Sequence, residues 1–168
     1  RLVRAAPPFL IAKGPAVAET LYPGPWLRSF NDLDLIVHQS DWQAFDRLLG
    51  EAGFAPTRDA RVPLPPLSGH DTIYERSYHH PTAGIAIDVH YDDLLNCGLA
   101  ARDVEGFWRR SRAIAIEGHQ VRTLAPGDQL IHLCAHAHYH GYTRLIWLSD
   151  LAFLLRDHWS EVDWRQTV

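Results

Sequence analysis

The chain has 168 residues, 46% of them hydrophobic, enough for one well-filled core. Its formal charge of -4 and pI near 6.2 supply no basic field to draw it to nucleic acid or an anionic membrane, and no apolar run reaches the roughly 18 residues that a bilayer span needs. Cys97 and Cys134 show neither CxxC spacing nor a disulfide-dense pattern, which suits a reducing, cytoplasmic setting.

The chain starts at Arg1 and contains no methionine, so it is expected to be a piece of a longer polypeptide. In chain order, FLIAKG predicts a short strand or loop ending at Lys13-Gly14, and Pro15 suits the first position of a helix through PAVAETLY. YPGPW breaks that helix, and DLDLIV reads as a strand. Residues 40–54, SDWQAFDRLLGEAGF, have the pattern of an amphipathic helix capped by Ser40 or Asp41 and ended by Gly53. The proline-rich APTRDARVPLPPLSGH predicts a surface loop, and DTIYERSY and GIAIDVHY alternate as two strands of a hairpin turning at HHPTAG. VEGFWRRS predicts a short helical turn and RAIAIEGHQVRTL a second hairpin turning at EGH. Beyond it come two helices separated near Gly141 and, in EVDWRQTV, the start of a third. The expected division is a core over residues 1–124 and a helical, truncated part over 125–168.

The acids carry the chemistry. Strand side chains alternate, so Asp32 and Asp34 share one face with Leu33 and Leu35 opposite. In IAIDVHY, Asp88 and His90 likewise lie opposite Ile87 and Val89. If the two strands are neighbours, three carboxylates converge, and their mutual repulsion under burial calls for a divalent cation. An all-oxygen set suits Mg²⁺ or Mn²⁺, and two such ions about 3.5 to 4 Å apart would clamp the attacking and leaving oxygens of a phosphoryl transfer.

A glycine at a strand-to-helix turn (Lys13-Gly14), an acid-x-acid strand (NDLDLIV) and a lone acid on a later strand (AIDVHY) together resemble the polymerase-β-like nucleotidyltransferase superfamily. The stretches AKGPAVAETLYPGPWLRSFNDLDLIV, EAGF, IDVHY and LIHLCAHAHYHGYTRLIWLSDLAFLL are similar to a bacterial group described as uncharacterised nucleotidyltransferases, over roughly residues 10 to 165. The resemblance implies an α/β fold, a mixed sheet flanked by helices with a C-terminal helical part. It implies Asp32 and Asp34 holding two Mg²⁺ ions and an NTP triphosphate, with Asp88 binding the catalytic ion and helping to deprotonate an acceptor hydroxyl. It gives Gly14 a phosphate-cradling role through backbone amides, with Lys13 and Arg28 as the neutralising cations. Pro15 departs from the superfamily pattern: it stands where a serine or second glycine is usual and has no N-H to donate, a loss that Arg28 or Ser29 could make good. The implied reaction moves an NMP from an NTP to a small-molecule, peptide or protein hydroxyl and releases pyrophosphate, with nucleic acid disfavoured by the charge.

His132, His136 and His140 recur every fourth residue on one helix face, a spacing that can bind zinc but that more often marks packing or a cleft wall. His90, His136 and His140 are candidate accessory residues, and Asp150 is positioned to fix an imidazole tautomer. The six tryptophans read as core packing or lid contacts, and Arg109, Arg110 and Arg112 as a solvated basic face or a triphosphate site. Two alternatives stand beside the transferase: a zinc hydrolase built on the histidine-rich helix, and an inactive nucleotidyltransferase fold serving as a binding module.

Overall fold

The computed structural model describes residues 6–57, 75–91 and 104–167. Cys97, residues 71–74 of the expected third strand and most of the proline-rich loop lie outside them. The elements are β1 (Phe9–Ile11), α1 (Pro15–Leu21), β2 (Asp32–Val37), α2 (Trp42–Glu51), β3 (Ala55–Pro56), β4 (Glu75–His80), β5 (Ile85–Tyr91), α3 (Val104–Arg110), β6 (Arg112–Ile116), β7 (His119–Thr123), α4 (Pro126–Tyr139), α5 (Leu145–His158) and α6 (Trp164–Thr167). The strands form one mixed sheet in the order β3-β4-β5-β2-β1-β7-β6. Its centre is parallel β2–β5, with β1 antiparallel to β2 and parallel to β7. This is an α/β architecture, as the resemblance implies.

Alternation along the strands decides what each face meets. Leu35, Val37, Ile87 and Val89 point to one face and pack with Tyr78 and with Phe45 and Leu49 of α2. The opposite face holds Leu10, Ala12 and Ile36, covered by Phe107 of α3 and Ala135 of α4. A third cluster joins Val17 and Leu21 of α1 to Leu130 and Leu133 of α4 and Leu154 of α5. The histidine-rich helix therefore lies over the face that carries the acids.

Several local expectations shift. Asp41 occupies the N-cap position of α2 but makes no side-chain capping bond, because residues 39–41 form a 3₁₀ turn that places it in helical geometry. Ala55 and Pro56, expected in the loop, pair with β4 as an edge strand, and β4 runs on through His79 and His80 before the chain turns. The β6–β7 turn consists of Glu117 and Gly118, both at positive φ, as a two-residue hairpin requires. The tryptophan reading holds in part: Trp108 and Trp164 pack half-buried against core clusters, and no tryptophan is fully buried. Trp26 is 82% and Trp159 59% exposed, Trp108 stacks on His38, and Trp159 lies against Trp164. Indoles at amphipathic positions here cover the rims of helices, where a large ring is shielded on one side only.

Candidate active site

The site begins where β1 runs out. The Ala12 N-H donates to the Asp34 carbonyl at 2.9 Å, keeping β1 paired to β2 until the chain turns at Lys13-Gly14. Gly14 has φ +57°, and a Cβ placed on it would lie 3.0 Å from the Asp32 carbonyl oxygen. Only glycine meets both demands, a left-handed backbone and close approach to the first residue of β2. Pro15 then opens α1 at its first turn.

The parallel register of β2 and β5 sets Asp34 directly beside Asp88, and β4 sets Ser77 on the other side of Asp88. Asp32, two residues before Asp34, shares their face at the exposed mouth of the strand. The three acids singled out in the sequence thus lie on one face of adjacent strands.

Asp34 is 2% exposed, and its Oδ1 lies 2.8 Å from Lys13 Nζ and 3.5 Å from His90 Nε2. Burial alone would push its carboxyl up, but the His90 contact and the Lys13 charge outweigh that and hold it well below the usual carboxylate range. His90 is buried as well, with Glu75 4.0 Å from Nδ1. Burial disfavours its charge, yet the two acids raise its affinity for a proton above the ordinary imidazole value. Its Nε2 makes no hydrogen bond of good geometry. Asp88 is pushed up by burial and further by Glu75 and Asp34, against a lowering hydrogen bond from Ser77.

The other side of the site comes from the C-terminal helices. Lys13 Nζ lies 3.0 Å from His136 Nδ1, and because an ammonium can only donate, Nδ1 accepts and the imidazole proton sits on Nε2. Burial, the Lys13 charge and the neighbouring His132 and His140 lower His136 to about 3, so it is neutral. Its ring meets those of His140 and Trp147 at 4.6 and 5.1 Å between centroids. With Nδ1 turned to Lys13, His136 serves as an acceptor for the ammonium. Among the described residues no three His, Cys, Asp or Glu side chains are arranged around a metal position.

Asp150 does not meet an imidazole. It lies fully buried in α5 and accepts from Arg28 Nε at 2.9 Å, Arg28 Nη2 at 2.8 Å and the Tyr22 hydroxyl at 2.7 Å. This fork ties the segment ahead of β2 to α5, so Arg28 is already paired with a carboxylate. Arg110 and Arg112 are likewise engaged, with Asp128 at 2.8 Å and Glu161 at 3.6 Å.

A cleft of about 320 Å³ opens between these parts. Lys13, Gly14, Arg28, Ser29, Asp32 and Asp34 line it, together with His136, His140, Arg144 and Trp147. Asp88 and His90 stand beside Asp34 in the sheet and are not among its lining residues. The sequence reading missed Arg144, Trp147, Glu75 and the Arg28–Asp150 pair. For the last there was a signal, since an acid inside the apolar run LIWLSDLAFLL needs a buried partner.

The sheet is that of an α/β nucleotidyltransferase-like fold. Among solved structures, the chain is similar to the crystal structure of an antigenic nucleotidyltransferase-like protein from Paracoccidioides brasiliensis, with TM-score 0.51 and 16% identity over 88% of this chain and 67% of that one. That likeness concerns the fold. The model of the family described as uncharacterised nucleotidyltransferase matches residues 2–168, and the chain belongs to that family. No curated protein matches it significantly.

Proposed function

We propose that the protein is a metal-dependent nucleotidyltransferase that moves an NMP from an NTP to a hydroxyl of a small molecule, peptide or protein. The observation that carries this reading is the register of Asp34 against Asp88 on parallel β2 and β5, with Asp32 on the same face. The donor set suits a hard divalent cation in its chemistry, but the three carboxylates do not surround a common metal position as they stand, so binding would have to draw them together. The set is all oxygen, and Asp88 is held above its usual range by burial and by Glu75 and Asp34, a cost that a nearby cation would relieve. Asp32, Asp34 and Asp88 would hold the metal, two Mg²⁺ or Mn²⁺ ions, which when bound would supply Lewis-acid stabilisation of the phosphoryl oxygens.

The chain's own residues supply the rest. In the proposed step the acceptor hydroxyl oxygen attacks the α-phosphorus, the bond from that phosphorus to the bridging oxygen breaks, and pyrophosphate leaves. The hydroxyl proton passes to the Asp88 carboxylate, which stands beside Asp34 in the register of β2 and β5. Lys13, shared between Asp34 and His136 at 2.8 and 3.0 Å, is placed to neutralise phosphate oxygens. Arg28 and Ser29 border the same cleft.

One observation favours a second reading, an inactive binding module. Pro15 offers no N-H, and the Phe30 ring lies 3.7 Å from where a Gly14 Cβ would stand, so the glycine turn is partly covered. One experiment separates the two. The protein is incubated with each labelled NTP and a cell extract: transfer of label to an acceptor, lost in Asp32→Ala and Asp34→Ala, supports the transferase, and absence of any label with all four NTPs supports the module.

A further inference from the structure

The donor's triphosphate needs cationic partners, and each cation of the glycine-acid motif already shares its charge with a carboxylate. Lys13 is held by Asp34 and His136. Arg28 gives Nε and Nη2 to Asp150. The Gly14 turn is limited by Pro15 and by the ring of Phe30. Arg144 differs from these groups. It lines the same cleft, is exposed, and makes no ion pair with any carboxylate among the described residues. Its guanidinium lies 6.0 Å from the centroid of the Trp147 ring, another residue of the cleft. A planar guanidinium with parallel donors matches phosphate oxygens in a two-pronged contact that an ammonium cannot make.

We infer that Arg144 is a polyphosphate-binding residue of the cleft, taking the triphosphate of the donor nucleotide in place of the contact that Pro15 removes. The inference rests on the nucleotidyltransferase reading for the identity of the ligand and on the cleft's charge distribution for the residue. It moves the recognition of phosphate from the glycine turn to the connection between α4 and α5, outside the sequence motif.

The test is calorimetry on the full chain with Mg²⁺ and two probes, inorganic tripolyphosphate and a non-hydrolysable NTP. Wild type is expected to bind both, and Arg144→Gln to weaken both by about tenfold to a hundredfold, the usual worth of a charge-assisted contact. Arg144→Lys, which keeps the charge and loses the fork, should fall between. Arg47→Gln, on the exposed side of α2, should match wild type. Circular dichroism checks folding, and if the Gln variant fails to fold, the Lys variant decides alone. Wild-type affinity in the variant overturns the inference and leaves the transferase reading standing. NTP binding without tripolyphosphate binding overturns the phosphate assignment. Arg144-dependent binding of tripolyphosphate with no NTP binding upholds the subsite and sinks the transferase reading, and binding of neither probe sinks both.

Discussion

Asp150→Ala is expected to be among the most damaging single substitutions in the protein. The carboxylate is fully buried and accepts two hydrogen bonds from Arg28 and one from Tyr22, while Arg28 is itself only 7% exposed. Removing the acid strands a guanidinium inside the protein, and breaking one half of a buried pair costs about 3 to 5 kcal/mol. Tyr22→Phe removes one donor from the charged acceptor at a half-buried position, so about 1.5 kcal/mol is expected. Arg28→Met with Asp150→Leu should cost well under the sum of the single changes, because an apolar pair leaves no charge unsolvated. Urea unfolding at constant m-value gives each figure, and the Arg28→Ala/Asp150→Ala cycle isolates the coupling. A loss below about 1 kcal/mol for Asp150→Ala would show that Arg28 regains water when its partner goes, contradicting a closed fork.

Three further outcomes are expected. Gly14→Ala forces a side chain into a left-handed backbone with its Cβ 3.0 Å from the Asp32 carbonyl, and should lower stability by about 1 to 3 kcal/mol in thermal melts. Asp34→Asn removes the anion facing His90, so the His90 imidazole should titrate at lower pH than in wild type when followed by NMR. His136, near 3 in the native state against an ordinary 6.5, leaves the unfolded chain with an extra proton between those values. Its contribution is complete above about 6.5 and is lost as pH falls toward 3, so His136→Asn, which keeps an acceptor for Lys13, should flatten the acid side of a stability–pH profile.

The acids were legible because strand alternation is local: the sequence alone puts Asp32 and Asp34 on one face and Asp88 opposite Ile87. What it lacked was register. One residue of slip between β2 and β5 would have turned Asp88 to the face of Phe45 and Leu49, and the apolar pairs Leu33–Ile87 and Leu35–Val89 are what prevent it. The helix contacts were less legible. The i, i+4 spacing of the histidines was visible, but that His136 would meet Lys13, 123 residues away, depends on how α4 crosses the sheet. Tryptophans at amphipathic positions were a mixed signal: Trp108 and Trp164 pack on the core while Trp26 and Trp159 stay exposed, because a helix rim and a helix interior look alike until neighbouring helices are placed.

The two buried aspartates nearest the cleft show how counter-charge separates a structural acid from a chemical one. Asp150 is neutralised by a planar guanidinium that meets both its oxygens and by a tyrosine, three donors fixed by the packing of α5 on the segment before β2. Nothing can displace that set without opening the core. Asp34 is neutralised at one oxygen by a lysine, a point charge on a flexible stem that it shares with His136, and its other neighbours are a histidine beyond good hydrogen-bond distance and a second acid, Asp88. Such compensation is exchangeable: Lys13 can transfer its charge to a phosphate if another cation takes its place beside Asp34. His90, whose Nε2 finds no hydrogen-bond partner, and Asp88, held above its usual range, border that same carboxylate. By this criterion Asp34, not the more deeply buried Asp150, is the acid that suits the proposed site.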